Sequence, residues 1–61
     1  MATPDWLSEG AIIWDRDDER WVIRSVDVKW VEVGHATRGK HKLLRRDLVE
    51  WVENGDWTAD D

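Results

Sequence analysis

The segment Gly34-His35-Ala36-Thr37-Arg38-Gly39-Lys40 has the spacing G-x-x-x-x-G-K, in which backbone N–H groups and a lysine cradle nucleotide phosphates. A working loop of that kind continues with a hydroxyl for Mg²⁺ and belongs to a parallel sheet. Here the next residue is His41, and only 21 residues follow Lys40. The segment therefore reads as a hairpin loop in which both glycines serve the turn, with ATP neither bound nor hydrolysed. His35 and His41 flank that loop and would face each other across a hairpin, but a metal site needs three or four ligands. No third histidine or carboxylate with metal spacing lies within residues 34–46, so neither a metal nor another cofactor is expected. Ser8 and Ser25 stand in no known nucleophilic arrangement with the histidines. With 14 acids in 61 residues, carboxylate pairs are unavoidable and carry no signal of glycoside chemistry. Nothing in the chain points to an enzyme.

The strongest feature is a basic stretch. Arg38, Lys40, Lys42, Arg45 and Arg46 occupy residues 38–46 without an acid, while the rest of the chain carries four bases against 14 acids. The molecule should be electrically polarised. Five cations beside a stacking side chain such as Trp30 or His41 would suit single-stranded nucleic acid. Against this stands the net charge of −5, which repels phosphate from every other face. Salt weighs the same way: at the duplex value five phosphate contacts give a salt slope near −4.5, so affinity would drop by more than about 10⁴ between roughly 0.2 and 2 M salt. A protein partner, or a second copy of the chain, can add apolar burial to the charge. The expected function is thus a non-catalytic interaction module that binds protein through exposed tryptophan (Trp14, Trp30) and the basic edge. An RNA- or DNA-binding accessory domain is the alternative, and neither a membrane nor a small-molecule substrate is indicated.

These residues must be positioned by a very small fold. A chain of 61 residues makes one domain and buries only about 60% of its unfolded surface. It has no cysteine, phenylalanine or tyrosine, so no disulfide can staple it. Six tryptophans, each able to bury about 150–250 Å², take the place of staples. Trp21, mid-strand, and Trp51, on a helix stripe, are expected in the core. The acidic, lysine-poor composition (pI ≈ 4.8) resembles that of haloarchaeal proteins, whose carboxylates hold them soluble in concentrated salt. No apolar run reaches a membrane span, and residues 1–5 lack the regions of a signal peptide, so a cytoplasmic location is expected.

Local patterns predict an α+β, mainly β molecule. Thr3-Pro4 reads as a cap and first position of a single helical turn ending before Gly10. Residues 11–14, 20–26 and 29–33 are β-branched and aromatic and read as strands, joined by a polar loop at 15–19 and a tight turn at Asp27-Val28. Val31 and Val33 share one face and should be buried, with Trp30 and Glu32 opposite. Residues 41–45 fit a fourth strand or the start of a helix. Leu44, Leu48, Trp51 and Val52 follow a helical stripe, with Asp47 and Glu50 spaced as a capping box and Gly55 as the C-cap, which predicts a helix over 48–54. Residues 58–61 are expected to fray, leaving 10–55 as the structured part.

The order of these elements resembles a small SH3-like barrel of the Tudor type. The resemblance is carried by Gly10, Trp14, the acidic loop before Trp21, Val31-x-Val33, and Leu44 with Asp47-Leu48, over roughly residues 10–49. It implies a partial barrel of three to four antiparallel strands with a short C-terminal helix. It also implies an aromatic cage for a cation, with Trp14, Trp21 and Trp30 as candidate walls, although most of the tryptophans are expected to be core.

Overall fold

Alternating apolar residues build the molecule around one buried sheet face. In the computed structural model, which describes residues 4–59, Ile12–Trp14 forms β1, Arg20–Val26 β2, Trp30–His35 β3 and Gly39–Leu44 β4. The helix α1 (Arg45–Asn54) follows directly, and Thr58–Ala59 is β5. Every neighbouring pair is antiparallel and the order is β4-β3-β2-β1-β5. The molecule is therefore mainly β with one short helix, but with five strands rather than three or four.

Leu7, Ile13, Trp21, Ile23, Val31, Val33 and Leu48 make the core. Val31 and Val33 expose nothing, as their alternation requires, and Trp21 is only 6% exposed. Leu48 fastens α1 to the sheet, while Leu7 reaches the core from the N-terminal segment. Each such burial contributes roughly 1.5–3 kcal/mol. A register shift between Ile23 and Ser25 leaves Arg24 and Ser25, both exposed, between Ile23 and Val26, which both pack inward. That is the work of a β-bulge, which adds one residue without sending the rest of the strand to the wrong face.

Three local expectations need correction. Residues 4–9 form turns, with Leu7 N–H bonded to Pro4 O and Ser8 N–H to Trp6 O (both 3.0 Å), and not a helical turn; Thr3 lies outside the described residues. Asp47 caps nothing. Pairing of Trp30 with Leu44 and of Val31 with Leu43 holds the chain extended up to Leu44, so residues 41–44 are strand and the helix begins at Arg45. Leu44 takes the cap position without a side-chain hydrogen bond, and Arg45 N–H bonds instead to Lys29 O at 2.9 Å. Thr58 and Ala59 do not fray, because they pair with Trp14 and Ile13; Asp60 and Asp61 lie outside the described residues. The C-cap is as expected, with Gly55 left-handed at φ 88°, a conformation that costs glycine nothing. No helix among the described residues is long and apolar enough to cross a membrane.

Candidate functional site

An aromatic pocket of about 400 Å³ lies on the inner side of the sheet, walled by Trp21, Trp51 and Trp57 with Val33 and Leu43. The helix C-terminus builds half of it. With Gly55 left-handed, Asp56 N–H and Trp57 N–H both return to Trp51 O at 2.9 and 3.1 Å. The chain thereby folds Trp57 onto Trp51, the rings stacked at 5.7 Å and 22°. Trp21 completes the wall, 6.4 Å from Trp57. Trp51 and Trp57 are half-buried and pack against the core cluster, so Trp51, expected in the core from its stripe, stands at the core's edge as a pocket wall.

The β1–β2 loop orients Trp21. Asp15 accepts Asp17 N–H (2.8 Å) and Glu19 N–H (3.0 Å) on Oδ1, and the Trp21 indole N–H (2.9 Å) on Oδ2. Burial would raise the Asp15 carboxyl, but the Trp21 indole, the amides of Glu19 and Asp17 and the charge of Arg38 together hold it below its ordinary value of 3.8. Asp18 closes the turn at φ 67°, a left-handed position that Asp tolerates better than most residues. The carboxylates of Asp15, Asp17 and Glu19 lie within 4.8 Å of one another. Asp15 is committed to the loop, however, and Glu19 to His35 and Arg38.

Both histidines stand against Trp21, His35 at 4.8 Å and His41 at 5.4 Å between ring centroids. His35 Nδ1 accepts Thr37 N–H and Arg38 N–H at 3.1 Å each. The ring proton is therefore assigned to Nε2, where it is donated to Glu19 Oε1 at 3.1 Å. His35 thus caps the β3–β4 turn, and His41 Nε2 donates to Arg38 O at 3.2 Å. In the supposed phosphate loop, Gly39 supplies the left-handed turn residue at φ 80°. Gly34 does not serve the turn. It lies within β3, where a Cβ would come 2.9 Å from Cδ of Arg24.

The residues of the basic stretch do not form one surface. Arg38 stands at the pocket rim and pairs with Glu19. Arg45 bonds across to Asp27 O at 3.2 Å, and Arg46 lies 3.8 Å from Asp47 on the helix. Only Lys40 and Lys42 point to the outer face of the sheet, opposite Gly34 and Glu32. Trp14 (half-buried) and Trp30 (43% exposed) are on that outer face too, outside the apolar cluster around the core. Of the three supposed cage walls, then, only Trp21 lines the pocket, and Trp51 and Trp57 supply the others. The lining holds no hydroxyl or thiol for His41 to activate. Compared with known protein families, with curated proteins and with solved structures, the chain matches none.

Proposed function

We propose that this chain is a non-catalytic interaction module, built as a small SH3-like partial barrel of the Tudor type. It binds a protein partner by taking an apolar side chain of an extended segment into the Trp21–Trp51–Trp57 pocket. The barrel reading is supported by β1 lying between β2 and β5, with the helix inserted between β4 and β5. The binding reading rests chiefly on one observation: two stacked tryptophans of a very small chain stay half-exposed around a cavity of about 400 Å³, within the size range of ligand pockets. Such rings bring large contact area at little entropic cost, which is why tryptophan dominates binding hot spots. Arg16, Arg38 and Asp17 around the mouth supply the polar rim that fixes orientation.

Selection from a displayed random-peptide library against the folded chain is expected to return sequences sharing one large apolar residue. Their affinity should fall by about tenfold or more in Trp57→Ala and hold in Val28→Ser, at a residue 86% exposed on a remote turn. Peptides that bind Trp57→Ala as tightly as the wild type would overturn the assignment.

A further inference from the structure

The outer face of the sheet is chemically unlike the rest of the molecule. Strand alternation, the bulge and the register put Arg20 and Arg24 of β2 on the same face as Lys40 and Lys42 of β4, across the intervening β3. Two of these four cations lie outside the basic stretch of the sequence. Among the described residues, none of the four side chains makes a hydrogen bond or ion pair, in a chain with 14 acids. Glu32 stands across from Lys42 in register without reaching ion-pair distance, and Glu19 is taken by His35 and Arg38. Like charges are therefore gathered on one face and left without internal partners.

Arg20, Arg24 and Lys40 line a cleft of about 540 Å³ together with Val22, Gly34 and Glu19, whose carboxylate is held by His35 and Arg38. The missing Cβ of Gly34 is what lets Arg24 lie across the strand. Trp14 stands level with Arg20, and Trp30 lies at the far end of the same face, beside the paired Val26 and Val31. At ~3.3 Å per residue the two rings are roughly 20 Å apart, with the cations between them. An acidic peptide would use such cations but has no need of flat rings at either end. A duplex hides its base faces. Unpaired cations framed by accessible indoles suit a strand whose phosphates meet the cations and whose bases stack on the rings.

We propose that the outer face binds single-stranded nucleic acid, with backbone phosphates on Arg20, Arg24, Lys40 and Lys42 and bases stacked on Trp30 and Trp14. This is a second site, independent of the tryptophan pocket on the opposite side. Four phosphate contacts on a single strand give a salt slope of about −2.8, and each cation removed takes away about 0.7.

Fluorescence anisotropy with a labelled, mixed-sequence oligonucleotide of about 10 nucleotides, from about 0.05 to 0.3 M salt, tests this. Arg24→Gln and Lys40→Gln are each expected to flatten the slope by about 0.7. Trp30→Ala, at an exposed position that leaves the core intact, should weaken binding roughly 5- to 150-fold. Arg46→Gln, whose side chain is 89% exposed on the helix, and Trp57→Ala in the pocket should leave affinity unchanged, which separates failure here from failure of the pocket. Absence of binding at about 0.05 M salt overturns the proposal, as does a slope indifferent to the face cations. Poly-glutamate or duplex DNA bound as tightly as the single strand, with Trp30→Ala silent, also overturns it and identifies the face as a general polyanion surface.

Discussion

Asp15 shows how a single carboxylate can hold a small site together. Both of its oxygens accept, one from two loop amides and the other from the Trp21 indole, so an amide of the same shape cannot replace it: its NH₂ would face a donor. Because the folded carboxyl titrates below its ordinary value of 3.8, its ionised form stabilises the fold at any pH above that value. The contribution disappears as pH falls through the lowered folded value. Asp15→Asn is expected to cost about 1–3 kcal/mol at neutral pH, the cost of an unsatisfied donor, and to flatten the loss of stability below about pH 4. Urea titrations across that range would show it, and a variant with the wild-type acid limb would assign the bonds no energetic role.

At the scale of elements, strand and helix ends decide what was legible. Alternation at Val31 and Val33 and the left-handed glycine after the helix could be read locally, because each depends only on neighbours in sequence. The helix start could not, since the β3–β4 pairing up to Leu44 overrides the capping signal at Asp47. Its first turn therefore has no side-chain cap and carries Arg45 and Arg46 at the positive end of the helix dipole. Arg46→Glu should then raise stability by about 0.3–1 kcal/mol, visible as a higher urea midpoint with unchanged slope. A lower midpoint would show that the exposed Arg46–Asp47 contact matters more than such pairs usually do. The candidate sites were half legible for the same reason. Lys40 and Lys42 and the candidate contacts Trp14 and Trp30 could be named from the sequence, whereas Arg20 and Arg24 join them only through cross-strand register and a bulge. Trp57 enters the pocket only because the chain reverses at Gly55.

For the whole molecule, margin is the governing quantity. A domain of 61 residues at about 0.05–0.15 kcal/mol per residue has roughly 3–9 kcal/mol of stability, and a buried tryptophan truncated to alanine costs about 3–5 kcal/mol. Trp21→Ala should accordingly lose most of that margin and melt far below the wild type, while Trp51→Ala, losing a half-buried pocket wall, should melt closer to it. Circular dichroism melts of the two variants settle this, and equal melting points would contradict the burial difference. The five strands also differ in how far along the chain they must reach for a partner. The β2–β3 and β3–β4 hairpins join near neighbours, whereas Ile13 meets Ala59 and Trp14 meets Thr58 only after nearly the whole chain has been arranged. The entropy of closing so long a loop is compensated by only two paired residues on each side. In time, then, this bridge is expected to be the last part of the sheet to form and the first to let go, the first and last strands of the chain meeting only once the hairpins between them are complete.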